Sequence, residues 1–175
     1  VLFVQNFRDF SQAEKNKMKS NVSSAISILA SRQVSNGGFA YWPGDRYANE
    51  WVTTYATHFL VEADRAGYSV PLSVKSRALN NLKSAVRLWN GNPMYSSYYS
   101  ISMSSLQQAY RLYVLALANE VELGAMNRLK ESNDLSTQAK WRLAAAYAIA
   151  GRKDAARQII AKANTDIDPY GYSND

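Results

Sequence analysis

Apolar residues fall three and four positions apart along most of this chain, the spacing that puts them on one face of an α-helix. From Gln12 to Gln33, Met18, Val22, Ala25, Ile26 and Leu29 keep that interval while Lys15, Lys17 and Lys19 fall elsewhere. Ser11 with Glu14 three residues on reads as a capping box at the start. A second helix, about 49–66, is predicted to bury Val52, Tyr55, Ala56, Phe59, Leu60 and Ala63 and to stop at Gly67. Pro71 opens a third, about 71–90, with Ala78, Leu82, Ala85, Val86 and Trp89 inward. A fourth covers about 104–119, with Leu106, Ala109, Tyr110, Tyr113, Val114, Leu117 and Ala118 inward, and a short fifth about 121–132. Ser136 or Thr137 caps a sixth that runs to about Ala150. Its apolar residues, Trp141 and Ile149 among them, nearly encircle it, as in a helix packed on several sides. After Gly151, the residues Ala155, Ala156, Ile159, Ile160 and Ala163 mark a seventh.

Aromatic turns punctuate these helices. Asn36-Gly37-Gly38-Phe39-Ala40-Tyr41-Trp42-Pro43-Gly44 carries more apolar surface than a solvated loop, so it is expected to fold back on the helix ends. Met94-Tyr95-Ser96-Ser97-Tyr98-Tyr99 and Asp168-Pro169-Tyr170-Gly171-Tyr172 repeat the theme. Turn, helix and second helix recur loosely, with helices starting near Trp51, Leu106 and Trp141. Such units cannot cover their own apolar faces and must stack. The fold class expected is all-α, a toroid-like array of helical hairpins forming part of a ring, with 1–175 as a single domain.

Composition narrows the function. With 47% apolar and 12% aromatic residues, the chain is built to bury a core. It has no cysteine, so it holds no disulfide, no thiolate metal site and no cysteine nucleophile. No run of about 18 apolar residues occurs. Val1-Leu2-Phe3-Val4-Gln5-Asn6-Phe7 lacks the basic lead of a signal peptide, and the opening valine suggests a piece of a longer protein. The net charge of +6 is concentrated: residues 71–100 hold four bases and no acid, and residues 136–163 hold six bases against Asp154. Lys75, Arg77, Lys83 and Arg87 are scattered among apolar positions of one helix, so a solvated basic face is expected and nucleic acid is not.

The order Ser31-Arg32-Gln33, Asn36-Gly37-Gly38-Phe39, Tyr41-Trp42-Pro43-Gly44, Asn49-Glu50-Trp51-Val52-Thr53-Thr54-Tyr55 and Phe59-Leu60-Val61-Glu62-Ala63 resembles the thioester domain of the alpha-2-macroglobulin family, bacterial members in particular. In that family a glutamine precedes an (Asp/Asn)-Gly-(Gly/Ser)-Phe turn, and a Trp-x-Thr helix ending in an acidic residue and alanine follows. The match is strong from about Ile26 to Gly67; beyond that it rests on helix order and on Gln138 to Gly151. The resemblance implies an α/α toroid within a protease trap, an endopeptidase inhibitor whose Cys-Gln thioester acylates its attacker. This chain lacks the cysteine. Either the thioester lies in helices ahead of Val1 or the parent has none; seven predicted helices are fewer than a full ring holds, which favours the first. Complement relatives carry a histidine after the turn, where this chain reads Asp45-Arg46-Tyr47-Ala48-Asn49. The resemblance also implies a bacterial periplasmic or envelope protein, lipoprotein-anchored in the parent, with proteases and other domains of the same chain as partners.

Individual side chains add little chemistry. His58, the only histidine, has Glu62 one turn on, and a structural hydrogen bond is expected of it. Phe39, Tyr41, Trp42 and Tyr47 are the candidate functional residues: they either pack the turn onto the helix ends, shield a thioester from water, or contact a neighbouring domain. Asp45, Glu50, Glu62 and Asp64 are the carboxylates a toroid glycosidase or lyase would draw on, yet Glu62 and Asp64 point to different sides of one helix. No catalytic residue, metal or cofactor is assigned, and the chain is expected not to be an enzyme. A glycan-active toroid and a helical-repeat binding module are the alternative readings. An incomplete ring leaves apolar faces open, which favours a dimer of the isolated chain.

Overall fold

The computed structural model describes residues 9–91, 98–133 and 135–163, and the side chains of all of these but 98–103. Seven helices make up the described residues: α1 Gln12–Arg32, α2 Glu50–Arg65, α3 Leu72–Leu88, α4 Tyr98–Leu117, α5 Leu123–Lys130, α6 Thr137–Ile149 and α7 Lys153–Ile160. No strand occurs among them, only an isolated antiparallel bridge between Gln33 and Phe39. The protein is all-α. No described helix is long and apolar enough to cross a membrane. The segment Val1–Phe7, the connection Met94–Ser97 and the tail Asp168–Asp175 lie outside the described residues.

Helix ends follow local chemistry. The Ser11 hydroxyl accepts from Glu14 N while the Glu14 carboxylate accepts from Ser11 N, completing the capping box before α1. Asn49 Oδ1 accepts from Val52 N at 3.0 Å and Ser136 Oγ from Ala139 N at 3.2 Å, which starts α2 and α6. Gly67, at φ 83°, closes α2 in the left-handed conformation that an L side chain resists. One helix departs from its expected limits. α4 begins at Tyr98 rather than near residue 104, so Tyr98 and Tyr99 sit in its first turn.

α4 is the hub, packed between α2 and α6, with α3 and α5 also against it; α1 and α3 back α2, and α5 and α7 back α6. The result is two layers, α2, α4 and α6 in one and α1, α3, α5 and α7 in the other. Two apolar clusters hold them. The larger joins α3 to α7 through Leu82, Val86, Leu112, Leu115, Met126, Leu129 and Leu143; the smaller joins α1, α2 and α3 through Val22, Ile26, Phe39, Leu60 and Ala78.

Polar links tie the layers at the end of α3, where the Val86 carbonyl accepts from Gln108 Nε2 and Arg128 Nη2, each at 3.1 Å. These bonds satisfy a C-terminal carbonyl that the helix itself leaves open. The bases of α3 are also occupied: Lys75 pairs with Asp64, Lys83 with Glu120 and Arg87 with Glu122, each at 2.6 Å, and Arg77 donates to the Val34 carbonyl at 2.7 Å. The expected solvated basic face thus also carries bridges to neighbouring elements.

Two inward assignments are overturned. Tyr55 is 65% exposed, and α2 buries Thr53, Thr54 and Thr57 instead. Threonine tolerates that interior because Thr54 and Thr57 donate their hydroxyls to carbonyls one turn back, at 3.0 and 2.7 Å. On α6, Trp141 and Ile149 are exposed, so the helix is open on one side rather than enclosed.

Candidate functional site

The glycine turn between α1 and α2 is pinned at its base and free at its tip. Phe39 is fully buried in the smaller core. Its amide donates to Thr53 Oγ1 at 2.9 Å and its carbonyl accepts from Asn49 N at 2.9 Å, so the turn is fastened to the first turn of α2. Asn36 Oδ1 accepts from Gly38 N at 2.9 Å, a local side-chain turn. From α3, Arg77 and Asn81 donate to the carbonyls of Val34 and Asn36, while Gln33 Nε2 bridges the carbonyls of Gly37 and Val74. Gln33, Gly37, Phe39 and Thr53, all parts of the motif read from sequence, meet here.

Gly37 is required by geometry. Its φ is 84°, and a Cβ built on it would stand 2.3 Å from the Arg77 carbonyl oxygen. Gly38 is equally close-packed, with a built Cβ 2.6 Å from Ala48 Cβ.

Beyond Ala40 the chain leaves the core. Tyr41, Trp42 and Tyr47 are 56%, 66% and 86% exposed. They do not pack onto the helix ends, which corrects that expectation for three of the four aromatics. Tyr41 and Trp42 meet edge to face with centroids 5.0 Å apart. Asp45 Oδ2 accepts from Trp42 N at 3.3 Å, and Arg32 Nη1 donates to the Tyr41 carbonyl at 3.4 Å. The tip therefore offers exposed rings on an anchored base.

The four carboxylates considered for sugar chemistry are engaged separately. Glu50 pairs with Arg111 at 2.7 Å, Glu62 with Arg65 at 3.1 Å and Asp64 with Lys75 at 2.6 Å, while Asp45 caps the tip. Glu50 lines a cavity of about 290 Å³ beside the turn; Asp64 lines another of about 380 Å³ near the C-terminal ends of α2 and α4. They do not face one another across a shared cleft. Among the described residues no group of three His, Asp or Glu side chains is placed to hold a metal.

His58 does form a structural hydrogen bond, but its partner is Tyr110 of α4 and not Glu62: Nδ1 lies 2.9 Å from the Tyr110 hydroxyl. Tyr110 and Tyr113 both stand edge-on to the imidazole at 5.6 Å. The Arg142 guanidinium of α6 lies over the Tyr110 ring, 4.0 Å from its centroid. Sequence periodicity could place each of these on its own helix but not against the others.

Burial pushes the His58 imidazole below its ordinary value of 6.5, with Glu62 opposing and Arg142 assisting; burial likewise raises the Tyr110 phenol. A lowered folded value means the unfolded chain takes up the proton first as pH falls. Stability from neutral His58 is complete above 6.5 and drains away below it. In urea titrations, His58→Gln is expected to lose less stability than the parent chain between about pH 7 and pH 5. An identical loss in both would assign the titration elsewhere.

A two-layer array of helical hairpins carrying a glycine-pinned aromatic turn at one helix end defines an all-α helical-hairpin domain. No family model matches the chain. Alpha-2-macroglobulin of Xylella fastidiosa is 34% identical over 108 residues, 62% of this chain and 6% of that protein, and alpha-2-macroglobulin of Escherichia coli 33% identical over 118 residues, 66% and 7%. The crystal structure of native E. coli alpha-2-macroglobulin from domain MG7 to the C-terminus superposes with a TM-score of 0.75 at 27% identity, covering 88% of this chain and 24% of that one. The trypsin-activated E. coli protein gives 0.68 at 29%, covering 78% and 10%. The chain is a partial domain of the bacterial alpha-2-macroglobulin type, and it spans 4% to 7% of the length of the curated relatives it matches.

Proposed function

We propose that the chain is scaffold of the thioester domain in a bacterial protease trap, and that the tip of its glycine turn shelters the thioester carried elsewhere in the parent polypeptide. The observation that supports this is the division of the turn: the base is fixed by Phe39, Thr53, Arg77 and Asn81, while Tyr41, Trp42 and Tyr47 stand out from it. Exposed rings on a rigid mount cost little entropy to bring against a second surface. An acyl thioester survives in water only where its carbonyl is kept dry, and aromatic rings exclude water over a large area.

Proteases are the partners of the parent, which cuts attackers off from larger substrates in the periplasm or envelope; this chain touches other domains of that polypeptide. Without cysteine it carries no thioester of its own for the trapping reaction. The purified 175-residue chain is expected to hydrolyse neither peptide nor glycan and to leave protease activity unchanged.

The sheltering role is tested in the parent protein by following free-thiol appearance over time. Trp42→Ala is expected to shorten the thioester's lifetime several-fold while leaving the helical circular-dichroism signal unchanged. An unaltered lifetime in Trp42→Ala and in Tyr47→Ala would remove the sheltering role and leave the rings as contacts to a neighbouring domain.

A further inference from the structure

One face of the inner layer is unlike the rest of the surface. Trp51, Tyr55, His58 and Glu62 follow one another at intervals of four, three and four, so they form a single stripe on α2. Trp51 lies 5.7 Å from the Tyr110 ring, Tyr113 is beside His58, and Arg142 covers Tyr110. Trp51 is 42% exposed and Tyr55 65%, so large rings stand in solvent next to a guanidinium.

The charge on this face is unbalanced. Arg142 Nη1 is buried and has no hydrogen-bond acceptor among the described residues. The neighbouring acid, Glu62, is 3.1 Å from Arg65. His58 is held toward its neutral form by burial and by Arg142 itself, and it has no negative charge to offer. A buried guanidinium N–H without an acceptor is costly, and the group that fits its planar fork is a carboxylate. Aromatic rings around the fork would exclude water from such a pair and strengthen it.

We propose that the face formed by Trp51 and Tyr55 of α2, Tyr110 and Tyr113 of α4 and Arg142 of α6 docks a carboxylate-bearing segment from another part of the same polypeptide, its acid pairing with Arg142. The inference rests on the reading of this chain as part of a longer protein. Its related crystal structure supplies the scale: 88% of this chain matches only 24% of that one, so most of that polypeptide is available to cover such a face. Charge complementarity selects the occupant. A second copy of this chain would bring another Arg142 and another Tyr55 to the same place when paired about a two-fold axis, like charge against like.

Arg142→Met keeps an extended side chain over Tyr110 and removes the unpaired charge. In the isolated chain the melting temperature is expected to stay level or rise. In the longer parent it is expected to fall by about 5 °C or more, because a carboxylate loses its partner. A fall of equal size in both would make Arg142 a local packing residue and overturn the proposal. A second readout does not depend on melting: nitration of Tyr55 by tetranitromethane, mapped by mass spectrometry. Tyr55 is expected to react in the isolated chain, to be protected in the parent, and to regain reactivity in the Arg142→Met parent. Equal reactivity in chain and parent would overturn the proposal. So would a dimer of the isolated chain that dissociates with Arg142→Glu, which would give the face to a second copy. Thiol release by methylamine reports the thioester separately. A parent that holds its thioester yet leaves Tyr55 reactive defeats this inference alone; a parent without a thioester but with Tyr55 protected defeats the sheltering role alone.

Discussion

Phe39→Ala is expected to destabilise the chain by about 3–5 kcal/mol, the cost of emptying a fully buried aromatic site. Phe39 is 0% exposed, and its neighbours are Val22 and Ile26 of α1, Ala56, Leu60 and Ala63 of α2 and Ala78 of α3. These belong to three helices fixed by their own caps and links, so the site can collapse only in part. The backbone on either side is also committed, with the Phe39 amide on Thr53 and its carbonyl on Asn49 N. The measurement is urea unfolding followed by circular dichroism. Phe39→Leu, which keeps most of the volume, should recover much of the loss. A change below about 1 kcal/mol for the alanine variant would mean that the turn is not part of the cooperative core.

Gly37→Ala should cost about 2–4 kcal/mol, far more than one methyl group ordinarily does. Two penalties coincide. The φ of 84° is unfavourable for any L side chain, and the new Cβ meets the Arg77 carbonyl oxygen at 2.3 Å, a backbone atom that cannot swing away. Relief would require moving the turn off α3, which pulls Val34 and Asn36 away from Arg77 and Asn81. Gly44→Ala is the matched control. Its φ is 86°, yet nothing lies within 4 Å of the built Cβ, so it should cost only about 1 kcal/mol. The difference between the two unfolding energies isolates the contact with α3. Equal costs would show that the turn and α3 separate easily.

The helices were legible because their signals are local. Ser11 with Glu14, Ser136 and the stop at Gly67 each act within a few residues of where they sit, and all behave as read. The start of α4 was not, because Tyr98–Ser105 holds four serines and little apolar periodicity; that segment is helical without advertising it. Helical spacing alone does not fix the side of Tyr55, because α2 turns threonines to the core and satisfies the Thr54 and Thr57 hydroxyls within the helix.

The candidate site divides the same way. Gly37, Phe39 and Thr53 stood out as a motif, and the structure adds why: one backbone approach, one core residue and one hydroxyl bond. The exposure of Tyr41, Trp42 and Tyr47 could not be read, since composition does not say which rings of a turn enter the core. Arg142 gave no signal at all. Its role comes from Tyr110 and His58, which stand on two other helices, and only packing brings the three together.

The bonds that hold the turn come from the wrong side of the sequence for early assembly. Val34, Asn36 and Gln33 are joined to Arg77, Asn81 and Val74, 41 to 45 residues later. During synthesis, therefore, the first two helices can emerge and pair while the loop between them is held only by its own bonds and those to α2, and its fasteners from α3 are complete only when Asn81 has left the ribosome. Translational pausing just before that point should leave the loop open to proteolytic nicking, and pausing just after it should not.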